Sequence, residues 1–429
     1  MSRDTECGIT RRAAVAGLGA LLGTAACSRR SSRAISFWAI GREGEMAAKL
    51  VEQFVRLNPD LEVEIQKLPW TAAHEKLLTA YAGDTLPDLC QMGNTWVPEF
   101  AELDALEPLD AQIAASGSVL TADYFEGILE ANRVSGRLLG LPWYVDTRLL
   151  FYRTDLLQQA GFAAPPTTWA EWSQMLAAIK AMVGPERYGV LLPLNEFEQL
   201  LILGLQQPEE LLREGGRWGN FRNEGFRRAL HYYQQMFTRE WAPRMTNTQI
   251  SNVWDEFARG YFTFYVSGPW QIAQFKRRMP AHLQNSWMTA PMPGPEGPGV
   301  SVAGGASLVI FRSSQRKAQA WRLAEFLSSV STQTRFYELT GDLPPRREVW
   351  GLPALAESRY ARAFRQQLDR VRAPPKVPEW ARIATELCLM AERVVQGQSD
   401  VDTGVRQLDA KVDAILEKRR WLLDRQESA

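Results

Sequence analysis

The chain has 429 residues, with 49 Lys and Arg balancing 49 Asp and Glu, three His and four Cys. A chain of that length is expected to form two domains. Its interspersed, balanced charge argues against a nucleic-acid partner, whose phosphates demand a basic face.

The N-terminus reads as a targeting segment, to be left out of fold reasoning. Thr10-Arg11-Arg12 precedes an apolar run of 14 residues, Ala13 to Ala26, that meets Cys27. Spanning a bilayer takes about 20 residues, so residues 1–26 are read as a signal peptide. The paired arginines look like a twin-arginine export signal, and Thr24-Ala25-Ala26-Cys27 resembles a bacterial lipobox. That resemblance implies acylation of Cys27, with residues 27–33 as a tether and the protein exported to the periplasm or cell surface. An ordinary cleaved secretory signal with an incidental cysteine is the plainer alternative. No later segment is long and apolar enough to span a membrane. Cys90 and Cys388 then remain; two cysteines so far apart make no disulfide framework and read as small buried apolar residues.

The body of the chain opens with a strand at 35–40. A helix follows with Met46, Leu50, Val51, Phe54 and Val55 on one face, ending at Asn58-Pro59. Leu61 to Ile65 alternates apolar and acidic residues, as a half-buried strand does. Thr71 is placed as the cap of a helix carrying Leu77, Leu78 and Tyr81, and 88–92 is a further strand. This alternation predicts an α/β protein with parallel strands. Beyond residue 150 the pattern is mostly helical, around 169–182 and 221–237, with a strand at 261–266. A Pro/Gly connector at 291–299 leads to Gly304-Gly305 and another strand, then to a helix over 315–330. A second connector, Gly341-Asp342-Leu343-Pro344-Pro345, precedes two C-terminal helices. Crossings between two lobes are placed at 145–148, 287–292 and 344–345. Small-molecule sites favour such interfaces.

No catalytic motif stands out. The three histidines are isolated and lack metal-ligand spacing, and no nucleophile elbow, phosphate loop or dinucleotide fingerprint is present. Glu43 and Asp146 are a conceivable acid pair for glycoside hydrolysis. The 15 tryptophans are more informative. Trp70, Trp96, Trp143 and Trp270 each follow Gly, Pro or Asn at the edge of an apolar run. Loop-edge indoles offer a flat apolar face and a polar handle, which suit the C–H face and hydroxyl rim of a sugar. The plainer reading is that they plug the core. Asp146, a lone acid in the apolar stretch LPWYVDTRLLFYR, suggests a carboxylate for sugar hydroxyls, since hydrogen bonds to charged groups contribute roughly 1.5–3 kcal/mol.

Ordered along the chain, ISFW (35–38), LPDLCQMGNTWVPEFA (86–101), GRLLGLPWYVDTRLLFYR (136–153), SGPWQIAQFK (267–276), VAGGASLVIF (302–311) and TGDLPPRREVW (340–350) resemble the extracellular solute-binding proteins of carbohydrate ABC importers, a family that includes maltose- and trehalose-binding proteins. The resemblance covers nearly all of the chain after the targeting segment. It implies a two-lobe periplasmic-binding-protein-like α/β fold, each lobe a sheet flanked by helices. The lobes comprise 34–144 with 293–343, and 149–286 with 346–429. It further implies a monomeric, lipid-anchored protein, without cofactor, metal or catalytic residues, that delivers a sugar to permease subunits. Carried over residue by residue, the ligand-binding set is Glu43, Trp70, Asn94, Trp96, Tyr144, Asp146, Trp270, Gly304, Gly305 and Arg346. The glycine pair would let backbone N–H groups approach the ligand, and Arg346 would reach back as a bidentate donor. Ala306 stands where several members have a bulky residue, which leaves the ring count open. Alternatives are an exported carbohydrate-active enzyme, a sensor that docks a receptor, or a glycerol-3-phosphate or polyol binder. For a phosphate ligand only Arg42, Arg148 and Arg346 are candidate cations.

Overall fold

The computed structural model describes residues 34–427; the targeting segment, Cys27 and the tether assigned from the sequence lie outside them. Ala34–Ile40 (AISFWAI) is apolar on both faces, the mark of a strand covered on both sides, and Ile35, Phe37, Ala39 and Ile40 are fully buried. It is a central strand of a five-stranded sheet in the order Glu62–Leu68, Ala34–Ile40, Leu89–Gly93, Gly304–Ile310, Leu141–Asp146. Phe37 pairs with Leu89 and Trp38 with Cys90 in parallel. Gly304–Ile310 runs antiparallel to both of its neighbours. The sheet is therefore mixed, not purely parallel, because one strand arrives from far along the chain.

The helix Gly41–Leu57 follows the first strand and buries Ala47, Leu50, Val51 and Phe54. It stops at Asn58, whose backbone N–H and Nδ2 both donate to Phe54 O, as expected before a proline. The helix Trp70–Ala82 starts two residues earlier than expected. Pro69 precedes it and no side chain caps it, so Thr71 lies inside the first turn.

A second sheet has the order Trp287–Ala290, Leu149–Arg153, Phe262–Ser267, Tyr188–Leu191. Its last pair is parallel and the others antiparallel. Helix Trp169–Val183 is fixed at its start by a capping box between Thr168 and Glu171 and buries Trp169, Trp172, Met175, Leu176 and Ile179. Helices Trp380–Val395 and Val401–Ile415 complete that core. They are preceded by Ala361–Leu368 and followed by Glu417–Glu427, so the C-terminal region holds more than the two helices expected.

One crossing needs correction. Residues 287–290 belong to the second sheet, where Trp287 pairs with Arg153 and is fully buried. Apolar Trp-Met-Thr-Ala is better served by a ladder than by a connection, and the chain leaves this sheet only after Ala290. Cys90 and Cys388 are both free, the first buried and the second partly so. Among the described residues, no helix is long and apolar enough to cross a membrane.

Candidate functional site

A cavity of about 490 Å³ opens beyond the strand ends, lined from both sheets and their helices. That volume falls within the range of small-molecule sites. Nine of the ten residues singled out from the sequence line it; Arg346 does not. Arg346 is 4% exposed and committed elsewhere, its Nε donating to Asp123 Oδ2 at 2.5 Å and Nη1 to Ser328 O at 2.9 Å. A buried guanidinium needs such partners, so it braces the loop after Pro344-Pro345 instead of reaching back.

Three indoles form the apolar walls. Trp70, 39% exposed, meets Trp96 edge-on with ring centroids 5.6 Å apart. Trp96 is also packed by His74 at 5.1 Å. That histidine bonds Glu99 at 2.6 Å, and this bond raises its pKa. Trp270 begins the helix Trp270–Arg278 and lies against the Arg148 guanidinium, 4.5 Å from the ring centroid. Trp143 behaves differently. It is fully buried and stacks on Phe336 at 4.5 Å, a core residue and not a cleft residue. The alternation of the strand Leu141–Asp146 gives Trp143 and Tyr144 opposite faces, and only Tyr144 lines the cavity.

Polar groups converge on the same space. Asn94 accepts from Ser307 Oγ at 2.8 Å, which holds its amide, while its buried Nδ2 has no partner. Glu43, in the first turn of helix Gly41–Leu57, has a buried Oε2 likewise unpartnered. Gln91 takes the Ile40 N–H at 2.7 Å and donates to Tyr144 Oη at 3.4 Å. Burial pushes the Tyr144 phenol well up, helped by the charges of Glu43, Asp342 and Asp146. Unpaired buried polar atoms cost free energy unless a ligand satisfies them.

Asp146 is not the lone carboxylate that the sequence suggests. Arg148 Nη1 donates to both its oxygens, at 2.8 and 3.1 Å, and Nη2 donates to Glu198 Oε1 at 3.2 Å. Burial raises the Asp146 pKa, and the Arg148 charge opposes that rise. Asp342 was missed: its place in a Pro/Gly connector looked structural. It is 6% exposed, and burial followed by the nearby Glu43 charge pushes its pKa up to about 8. Glu43 is raised by burial too, against the opposing pull of its own backbone N–H, Trp70 and Asp342. Glu198 opens the helix Glu198–Leu205 and carried no distinguishing signal in the sequence.

The glycine pair has a structural reason. Gly304 lies opposite Asp146 and Gly305 opposite Val145, just before a register shift in the ladder. A Cβ on Gly304 would come within 2.7 Å of Asp146 O, and one on Gly305, at φ +120°, within 2.2 Å of Tyr144 O. Close approach of the two strands requires these glycines. Among the described residues, no group of three or more His, Cys, Asp or Glu is placed to hold a metal.

Two sheets with flanking helices, sharing one indole- and carboxylate-lined cavity, define a two-lobed small-molecule-binding protein. The chain belongs to the bacterial extracellular solute-binding protein family, whose model matches residues 49–357. The family is extracellular, so the protein is exported. The chain is similar to the sugar-binding protein MalE of Xanthomonas citri, 55% identical with a TM-score of 0.89, over 91% of this chain and 99% of that one. The GacH receptor of Streptomyces glaucescens, solved unliganded and with acarbose, shares the fold at TM-score 0.76 and 23% identity, over 90% and 98% of the two chains. The diacetylchitobiose-binding protein DasA of Streptomyces coelicolor is 22% identical, over 83% of each chain.

Proposed function

We propose that the protein captures a neutral sugar of disaccharide or oligosaccharide length in this cavity and delivers it to the permease of an ABC importer. The cavity wall carries the reading: three indoles supply stacking faces, while the unpartnered Glu43 Oε2 and Asn94 Nδ2 offer an acceptor and a donor to hydroxyls. The likeness to a sugar-binding protein at 55% identity supports it. The acid excess of the lining, with Arg148 as its single cation, disfavours phosphorylated ligands. Binding without turnover is further supported by Asp146, whose two carboxylate oxygens are both taken by Arg148. On this reading the lobes close on the sugar by hinge motion, as in periplasmic binding proteins, and Cys27 carries the lipid anchor of a monomer.

A thermal-shift screen across neutral disaccharides, oligosaccharides, polyols and sugar phosphates tests the reading. A specific ligand at 100 times its Kd stabilises by about 2.7 kcal/mol, and a saturating one shrinks the radius of gyration. Stabilisation by sugar phosphates alone, or release of product from a bound oligosaccharide, would overturn the proposal. Cys27→Ala is expected to release the protein from membranes and abolish fatty-acid labelling.

A further inference from the structure

Two of the three indoles in the cavity wall are braced by groups that do not line it. Trp70 and His74 are four residues apart on the helix Trp70–Ala82. Trp96 and Glu99 are three apart, where the tight turn Asn94–Trp96 runs on into the helix Val97–Glu102. Residues so spaced share a face, so each segment sends one indole and one ionisable group to the same seam. There Trp70 meets Trp96 edge-on at 5.6 Å, and the His74 ring lies tilted against Trp96 at 5.1 Å. His74 Nε2 is 2.6 Å from Glu99 Oε2. A Cβ on Gly93 would sit 3.5 Å from Trp96 and 3.6 Å from Trp70, so the end of the strand Leu89–Gly93 is the floor under both rings. Tyr81 Oη donates to Leu103 O at 2.8 Å and ties the same two segments at their far ends. Trp70 and Trp96 line the cavity; His74 and Glu99 stand behind them.

This bracing is tighter when His74 carries charge. A charge-assisted hydrogen bond to a carboxylate is about twice as strong as a neutral one, and an indole attracts a cation more than a neutral ring. The ionisable groups that face His74 are acids. Glu99 comes from the neighbouring helix, and from its own comes Glu75, 3.9 Å from Nδ1 but 84% exposed. The Glu99 bond is the main cause that raises the His74 pKa above its usual 6.5, with partial burial opposing it. Lys76, on the same helix, turns to the Trp38 ring at 5.0 Å. Glu102, one turn beyond Glu99, lines a separate groove with Arg133 and Lys376.

Resting on the carbohydrate reading above, we propose that His74 is a positioning residue for sugar capture: clasped by Glu99, it fixes the Trp96 indole at the angle from which the wall stacks on a sugar. The sugar touches the indole and neither of the two groups behind it. Stacking depends on tilt, because the C–H face of the sugar must lie flat on the ring. With its proton, the imidazolium is drawn to the carboxylate and to the indole together. Without it, both attractions weaken and the ring is held less firmly. Sugar affinity is therefore full below the His74 transition and falls to a lower plateau as pH rises through it.

Two readouts on the full protein test this. In the ligand-free protein, near-ultraviolet circular dichroism of the Trp70–Trp96 pair should change as pH rises from 5.5 to 9, and His74→Gln should lack that change. Calorimetric titration with maltose over the same range should show Kd rising about three- to fivefold above pH 6.5, the scale of one cation–aromatic contact. Glu99→Gln keeps a hydrogen-bonding partner without the charge, so it should move the transition to lower pH, which a merely structural bond would not do. His74→Gln should bind maltose at the weaker plateau with a flat profile. An indole signal blind to pH, or a transition that Glu99→Gln leaves in place, overturns the proposal. Firm maltose binding that is constant from pH 5.5 to 9 refutes the role of His74 and leaves the carbohydrate reading standing. If maltose binds at no pH while the indole signal follows His74, the carbohydrate reading fails and the role in capture falls with it.

Discussion

At one end of the cavity Asp146 and Glu198 share the Arg148 guanidinium, with the Trp270 ring against it; at the other, Glu43 and Asp342 line the wall with Trp70, where the cation felt by both is the exposed Arg42. Each end has two carboxyls and an indole. The first is electrostatically complete without a ligand, and the second is not. A charge network with good geometry rigidifies what it joins, and this one links the end of the strand Leu141–Asp146 to the helix Glu198–Leu205. The incomplete end retains unmet hydrogen-bonding capacity for a ligand. The difference separates an end that sets the geometry of the cleft from an end that reads its contents.

The largest expected effect tests the first half of that contrast. Arg148→Met removes the shared cation and leaves two partly buried carboxylates without compensation. Breaking a fully buried pair costs about 3–5 kcal/mol. Here the side chains are 14–29% exposed, so about 3 kcal/mol is expected in denaturant unfolding at pH 7. The double variant Arg148→Met/Asp146→Asn should recover part of the loss. A stability change below about 0.5 kcal/mol would reduce the triad to a solvent-exposed ion pair.

The next effect tests the other end through pH. The Asp342 pKa is raised in the folded protein, from 3.8 to about 8. Between those values the native state holds a proton that the unfolded chain has released, so stability falls as pH rises through the window. Below the lower value both states are protonated, and above the upper one both are ionised, so the slope vanishes. Asp342→Asn lacks this slope. Relative to wild type it should gain stability by about 1.4 kcal/mol for each pH unit between roughly 5 and 7. Parallel melting curves for the two proteins across that range would mean that Asp342 titrates normally, and the contrast between the two ends would collapse.

Period and punctuation made much of this molecule legible. Strands at 35–40 and 88–92, the helix from Gly41 and the indoles at Trp70, Trp96 and Trp270 all follow from local pattern. What failed depended on pairing in space. Trp143 and Tyr144 are neighbours with the same loop-edge signature, yet the pleat sends one into the core and the other to the cavity. Arg346 reads as a free donor until Asp123, 223 residues away in the chain, is found against it. Asp342 sits in a connector of turn residues, where an acid is ordinary; only burial beside Glu43 makes it unusual. The mixed sheet was hidden for the same reason, since Gly304–Ile310 arrives from far along the chain to insert between Leu89–Gly93 and Leu141–Asp146.

The smallest expected effect concerns Asp146, the acid in the apolar stretch LPWYVDTRLLFYR. As a lone carboxylate, its loss would cost sugar affinity about 2–3 kcal/mol, the scale of a charge-assisted hydrogen bond left unpaired. The structure lowers that figure for the isosteric change. Arg148 Nη1 already engages both carboxylate oxygens, so any sugar hydroxyl shares an acceptor that is partly spent. In Asp146→Asn the amide oxygen keeps one bond to Arg148, and Glu198 still holds the other side of the guanidinium. Calorimetric titration with a sugar found by the thermal-shift screen should therefore show a loss of about 1 kcal/mol, roughly fivefold in Kd. Glu43→Gln, at the end without a resident cation, should lose more on the same sugar. Equal losses at both positions would mean that the ligand draws on the two ends alike, and that Arg148 releases Asp146 when the sugar enters.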